Sequence, residues 1–166
     1  MTTDVLKRLL MFVILGLVQV LVCNHIHLLG YATPLLYVYF VITFRRNYPK
    51  WAILLWSFSL GLSIDAFSNT PGLAAGSMTL LAVVQPYLLE AFVPRDCADD
   101  LESSMSALGF TKFSLLTALC VFLYTFVFFT LEVFNFFNWQ QWLLCIGGST
   151  VLTIVLVLVL ENVRHR

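Results

Sequence analysis

Asp65 is the residue of this chain whose type and position most directly suggest a function. It is the one carboxylate of its apolar run, and residues 61–76 around it are rich in glycine and small hydroxyl side chains. An aspartate at hydrocarbon depth costs about 2.5 to 3.5 kcal/mol on insertion scales, so it normally has a hydrogen-bonding or charged partner. Asp65 could therefore carry a proton, contact a partner or ligand, or accept hydrogen bonds within the protein.

The residues around Asp65 predict two helices joined by a tight turn. Ser57 and Gly61 precede Asp65 at intervals of four, which places all three on one helix face. Residues 69–72, Asn-Thr-Pro-Gly, are a turn signal, and a second apolar run follows at once. At the end of the first helix, a carboxylate can accept hydrogen bonds from the first backbone amides of the second. This structural use is preferred because no lysine or arginine is expected at the same depth.

A stripe of small and polar residues is predicted along the second helix. Its members recur at intervals of three and four: Gly72, Gly76, Thr79, Val83, Pro86 and Glu90. Gly72 and Gly76 have the small-xxx-small spacing that lets helix backbones approach closely in a membrane. Pro86 is expected to kink the helix and free a carbonyl group. Glu90 is expected to be a charge at the membrane interface.

Other reactive residue types form no strong catalytic or metal-binding pattern. His25 and His27 would need at least a third ligand to bind zinc, and Cys23 in the same loop makes only a weak case. Glu132 is expected to lie at the opposite interface from Glu90. The sequence has no Ser–His–Asp set, nucleophile elbow or phosphate-binding glycine loop. We therefore expect no enzyme activity, no catalytic residues, no metal and no cofactor.

The composition predicts an all-α integral membrane protein with a single domain. Of the 166 residues, 60% are hydrophobic and 11% are charged, whereas soluble domains are about 25% charged. A helix needs about 20 apolar residues to cross the hydrocarbon. The second segment is expected to begin at Thr33–Pro34, with threonine as the cap. Six transmembrane helices are predicted, at about 9–29, 31–45, 51–67, 72–93, 112–134 and 139–161.

The basic residues predict the orientation of these helices. With six crossings, all nine lysines and arginines fall on one side of the membrane. By the positive-inside rule this side is cytoplasmic, so both termini are expected to be cytoplasmic. The first helix is read as an uncleaved anchor because no small-residue cleavage site follows it. Residues 94–111 are expected to form an acidic cytoplasmic segment with a short helix on the membrane surface.

Six short helices with both ends inside, together with the motif Gly61–x3–Asp65–x6–Gly72, resemble the bacterial rod shape-determining protein MreD family. The resemblance implies a non-enzymatic component of the inner membrane that binds MreC in the cell-elongation complex. It also implies influence on peptidoglycan synthesis by RodA and its penicillin-binding transpeptidase, and an indirect link to MreB. The implied fold is similar to the substrate-binding subunits of energy-coupling-factor vitamin transporters. Within the motif, Gly61, Asp65 and Gly72 are expected to be structural.

Such an adaptor is expected to bind membrane lipid but no nucleic acid. Two of its surfaces are predicted to dock a helix of a partner protein. One is the Ser57–Gly61–Asp65 face, and the other is the small-residue stripe of the next helix. The basic turn at 45–50 and the 94–111 segment are secondary candidates for partners or anionic lipid. The alternative function is a transporter subunit that holds a vitamin-like ligand, with these expected contacts: Asp65, Asn69, Trp139 and Gln141.

Overall fold

The computed structural model describes residues 2–21, 33–93, 103, 108–133 and 139–165, and all of its regular structure is helical. The helices are α1 (Thr2–Leu21), α2 (Val38–Ile42), α3 (Lys50–Ser68), α4 (Leu73–Phe92), α5 (Phe110–Glu132) and α6 (Trp139–His165). The loop holding His25 and His27 lies outside the described residues, as does most of the 94–111 segment.

Four helices are long and apolar enough to cross a membrane: Lys50–Ser68, Leu73–Phe92, Phe110–Glu132 and Trp139–Arg164. Helix α1 begins at Thr2, several residues before the predicted start at about 9, and so includes three charged residues, Asp4, Lys7 and Arg8. The chain is thus all-helical in its described parts, with six helices and four candidate spans.

The second predicted helix, at 31–45, is a helix only over the five residues of α2. The predicted start at Thr33–Pro34 is wrong, because the backbone of residues 34–36 bonds to side chains of other helices and the helix begins only at Val38. The chain from Pro34 to Phe44 is buried throughout, and it forms the middle of the bundle. Irregular backbone at membrane depth is tolerated where protein surrounds it and satisfies its polar groups.

Side chains from two helices satisfy the irregular backbone before α2. The Gln19 amide of α1 donates to the Pro34 carbonyl oxygen (2.9 Å) and accepts from the Leu36 N–H group (3.0 Å). The Thr153 hydroxyl of α6 accepts from the Leu35 N–H group at 3.1 Å. Each polar group can therefore stay buried without a large desolvation cost, and α1, α2 and α6 are joined.

The surface of the bundle is largely apolar, like its core. Large apolar side chains point outward, as in Leu55, Phe67 and Val151, which are 61%, 72% and 63% exposed. Small hydroxyl residues such as Thr117 and Ser149 are fully buried. Such a surface is suited to a hydrocarbon solvent, which accepts apolar side chains and leaves polar groups to be satisfied inside the protein.

Positive charge gathers at one end of the bundle. The Arg45 guanidinium lies 3.9 Å from the Asp4 carboxylate, which brings the end of α2 beside the start of α1. The Lys50 ammonium lies 4.8 Å from the centre of the Tyr87 ring, which joins the start of α3 to the last turns of α4. The described cations of this end, called the basic end below, are Lys7, Arg8, Arg45, Arg46, Lys50, Lys112 and Arg164.

Replacement of Gln19 tests the support of the irregular segment. Gln19→Leu should lower the free energy of unfolding by about 2 to 4 kcal/mol, because each buried backbone group left without a partner costs about 1 to 3 kcal/mol. Denaturant unfolding in detergent micelles measures this change. Leu17→Ala, at an exposed position of the same helix, should cost about 0.5 kcal/mol or less. Equal losses in the two variants would contradict the assigned role of Gln19.

Candidate functional site

The turn between α3 and α4 is built around two residues with left-handed backbone geometry. Asn69, with φ of 55°, follows the last turn of α3, and Gly72, with φ of 84°, precedes α4. Glycine adopts this geometry without strain, and asparagine tolerates it better than most residues do. The Asp65 carbonyl oxygen accepts hydrogen bonds from the N–H groups of Asn69 and Thr70, the latter at 3.2 Å, which closes the end of α3.

The Asp65 carboxylate binds the beginning of α4. One oxygen accepts from the Ala74 N–H group at 2.8 Å and from the Thr70 hydroxyl at 3.0 Å, and the other accepts from the Ala75 N–H group at 2.9 Å. Gly72 caps α4 but has no side chain to bond these amides. Asp65 thus supplies the cap from the neighbouring helix, where the positive end of the α4 dipole favours a carboxylate.

Gly61 lets the two helices meet at this point. A Cβ atom on Gly61 would lie 2.6 Å from Ala75 Cα and 2.8 Å from the Ala74 oxygen, distances that side chains do not occupy. Gly61 and Asp65, one turn apart on α3, therefore both face the Ala74–Ala75 backbone. The glycine permits the close approach, and the carboxylate binds the amides that this approach exposes. We call Gly61, Asp65, Asn69, Thr70, Gly72, Ala74 and Ala75 the α3–α4 joint.

The geometry favours a structural use of Asp65 over proton transfer or ligand contact. Asp65 is 5% exposed, and both of its oxygens accept from neutral donors of the protein. A proton carrier needs a route for the proton, and a ligand contact needs an approachable oxygen. Within the described residues no group of three histidine, cysteine or acidic side chains could hold a metal ion.

The other predicted site residues divide between the inside and the outside of the bundle. Ser57 is fully buried on the same face as Gly61, and its hydroxyl has no hydrogen-bond partner among the described residues. Pro86 is buried within α4, which continues through it to Phe92. Gly76 and Glu90 are exposed, and a Cβ on Gly76 would meet no described atom within 4 Å. The Ser57–Gly61–Asp65 face is therefore occupied by α4, whereas the Gly76 side of α4 is open.

The four residues proposed to contact a vitamin-like ligand differ in their exposure. Asp65 is buried against α4, while Asn69, Trp139 and Gln141 are exposed. Asn69 is committed to the turn by its left-handed geometry. A ligand between these four side chains would have to compete with backbone amides for the Asp65 oxygens.

A buried polar face on α6 was missed by the sequence reading. Ser149, Thr153, Val157 and Glu161 recur at intervals of four and are all 2% exposed or less. Ser149 and Thr153 accept from the irregular segment, and Glu161 accepts from the Tyr39 hydroxyl. The signal was present in the sequence, because Ser149, Thr153 and Glu161 are spaced by multiples of four within a Val/Leu run, and such spacing of polar residues predicts an inward helix face.

Substitution of Asp65 tests the capping role. Asp65→Leu should lower the free energy of unfolding by about 3 kcal/mol or more, because it leaves buried amides without an acceptor. Asp65→Asn should cost about 1 to 2 kcal/mol, since its oxygen still accepts while its NH2 group faces an amide donor. Unfolding in micelles measures both. If Asp65→Asn keeps the stability of the native protein but abolishes its function, the charge itself is functional.

The two glycines Gly61 and Gly76 form a matched pair for a second test. Gly61→Ala should destabilise the protein by about 1 to 3 kcal/mol, because its Cβ overlaps the α4 backbone. Gly76→Ala should be neutral or stabilising by up to about 1 kcal/mol, because alanine has the higher helix propensity and its Cβ meets open space. Equal effects on the melting temperature would mean that the close approach at Gly61 is not required.

Comparison with known proteins gives no assignment. No protein-family model matches the chain, and neither a curated protein nor a solved structure does. The indications of function therefore come from the residues and contacts of this chain, chiefly from the α3–α4 joint and the open side of α4.

Proposed function

We propose that this protein is a non-enzymatic adaptor of the bacterial inner membrane that resembles MreD and binds the single-span protein MreC. In this role it would help to control cell shape and peptidoglycan synthesis through the cell-elongation complex. RodA and its penicillin-binding transpeptidase would be further partners, and MreB an indirect one. The observation that carries the proposal is the open glycine on the outward side of α4, next to the α3–α4 joint.

The outward side of α4 has the properties of a helix-docking surface in lipid. Gly76 leaves a gap in the surface, and Val83 and Tyr87 continue the same side with exposed fractions of 48% and 59%. Helices in lipid associate through close packing and interhelical hydrogen bonds, because burial of apolar surface gives no advantage there. A gap at Gly76 allows a second helix to approach the α4 backbone, and the neighbouring side chains can pack against it.

The joint gives this surface a fixed position. Close packing contributes to binding only when the surface is already ordered, because ordering it on binding would cost entropy. The Asp65 carboxylate holds the Ala74 and Ala75 amides, which are directly before Gly76 in the first turns of α4. The proposed docking surface therefore begins next to the residues of α4 that Asp65 binds.

The distribution of charge supports a multi-pass inner-membrane protein with both termini in the cytoplasm. The described lysines and arginines lie at the basic end, where α1 starts and α6 ends. This is the arrangement that the positive-inside rule associates with the cytoplasmic side. We also propose that the six helices adopt a fold similar to the substrate-binding subunits of energy-coupling-factor transporters.

Copurification with MreC of the same organism tests the proposal. The native chain should retain MreC in stoichiometric amount, and Gly76→Leu should retain about tenfold less, since a side chain at the gap prevents close approach. Gly147→Leu is the matched control, because Gly147 is also an exposed helical glycine whose Cβ would meet no described atom within 4 Å. It should retain MreC as the native chain does.

Three results would contradict the adaptor function. The first is absence of MreC from the native preparation, and the second is equal loss of MreC from the Gly76 and Gly147 variants. The third is a bound vitamin-like molecule or an associated ATPase module, which would instead favour the transporter subunit. The melting temperature of each variant shows whether a loss of MreC reflects unfolding.

A further inference from the structure

A pocket at the basic end is lined mainly by cations that come from three parts of the chain. It has a volume of about 200 Å³, and its described lining residues are Asp4, Lys7, Arg8, Met11, Thr43, Arg45 and Arg164. A water molecule occupies about 30 Å³ in the liquid, so the pocket has room for a phosphate group and a small substituent. Met11 and Thr43 are in contact, with the Thr43 hydroxyl 3.8 Å from the Met11 sulfur.

Aromatic rings and carboxylates hold the cations of this pocket in place. The Arg8 guanidinium lies 4.4 Å from the centre of the Phe44 ring and 4.3 Å from that of Tyr48. The Arg164 guanidinium lies 3.9 Å from the buried Glu161 carboxylate and donates to the Tyr39 hydroxyl at 3.3 Å. Arginines fixed in this way lose little further side-chain freedom when an anion binds, and they can present several donors to it.

The charges of the pocket select an anion with several oxygens. Among the described residues that line the pocket, Lys7, Arg8, Arg45 and Arg164 are cationic and Asp4 is the one carboxylate, while Glu161 lies behind Arg164. Arginine and lysine groups around one small volume match the oxygens of a phosphate ester, which accept several charge-assisted hydrogen bonds.

The surroundings of the pocket indicate that the phosphate belongs to a lipid. On α1, the turns that carry Lys7 and Arg8 also carry exposed apolar side chains, Leu6, Leu9 and Leu10. On α6, Val163 beside Arg164 is 67% exposed. A phospholipid places its phosphate at the interface and its acyl chains alongside such residues, and basic pockets between helices at this level bind anionic headgroups.

We propose that this pocket binds the phosphate-bearing headgroup of an anionic phospholipid. The site is separate from the outward side of α4 and does not depend on the adaptor function. Lys7, Arg8, Arg45 and Arg164 bind the phosphate oxygens, while the acyl chains lie along the apolar surface of α1. A bound lipid then connects α1, the end of α2 and the end of α6, which are far apart in sequence.

Lipid titration of the purified full chain tests this site. The protein in neutral detergent is titrated with phosphatidylglycerol, phosphatidylcholine or inorganic phosphate, and binding is measured by native mass spectrometry. Phosphatidylglycerol should bind at least about tenfold more tightly than phosphatidylcholine, whose headgroup has no net charge. Inorganic phosphate in large excess should not displace phosphatidylglycerol. Displacement at equal concentrations would identify free phosphate as the ligand and overturn the lipid assignment.

Two double variants distinguish lipid binding in the pocket from general electrostatic attraction of the lipid to the basic end. Lys7→Gln with Arg45→Gln should weaken phosphatidylglycerol binding by about 25-fold, at about fivefold for each cation near the headgroup. Arg46→Gln with Lys112→Gln removes two charges from the same end and should change binding by less than about twofold, because neither side chain is among the described residues that line the pocket and salt screens exposed charges at a distance. Equal weakening in the two double variants would overturn the proposal.

Asp4→Asn provides a test that does not depend on the folding of the double variants. Asp4 is half-exposed and lies beside Arg45, so its replacement should leave the fold intact and raise the positive charge of the pocket. Binding of phosphatidylglycerol should become about two- to fivefold tighter. Unchanged or weaker binding in a variant that melts like the native protein would overturn the proposal.

Discussion

The structure depends on one aspartate that serves two helices at once, one through its backbone and the other through its side chain. The backbone carbonyl of Asp65 closes the end of α3, and its side chain caps the beginning of α4. Helix ends leave backbone groups without partners, and in a membrane those groups have little access to water. A charged residue that is costly in hydrocarbon thus becomes favourable, because three donors surround it and two helix ends are satisfied by it.

Gly61 and Asp65 are useful only together. Without the glycine, the α3 backbone could not come close enough for the carboxylate to reach the Ala74 and Ala75 amides. Without the carboxylate, the close approach would leave those amides facing an apolar helix. The consequence for function is that α4 is oriented by α3 through backbone contacts, which leave little room for adjustment. Its outward side, with Gly76, is then presented at a fixed angle to the rest of the bundle.

The sequence was sufficient to predict the turn between α3 and α4 and the group that Asp65 would bind. Both follow from local rules, since a turn signal and a helix dipole act over a few residues. Local rules could not distinguish Gly61 from Gly76, because both are glycines at helical spacing beside apolar residues. Only the packing of α4 on α3 shows that one is covered by backbone and the other is open.

The structure of the second predicted helix and the burial of the polar face of α6 depend on contacts between residues that are far apart in the sequence. The run from 33 to 44 is apolar enough to be read as a short span, but its hydrogen-bond partners come from α1 and α6, and α4 and α5 also pack against it. The basic pocket is similarly divided, since its arginines, Arg8, Arg45 and Arg164, are far apart in the sequence. The spacing of residues along the sequence does not show which distant residues come together in the fold.

The support of the irregular segment by α6 also constrains the order in which the protein can be assembled. Leu35 donates to Thr153, a residue 118 positions later, and Thr33 donates to Ser149 in the same helix. Synthesis runs from the N-terminus, so the segment before α2 is made before these acceptors exist. Until α6 is made, the amides of Thr33 and Leu35 lack the partners that they have in the folded bundle. The centre of the bundle, which lies early in the sequence, therefore reaches its final bonding only after a helix more than a hundred residues later has been made.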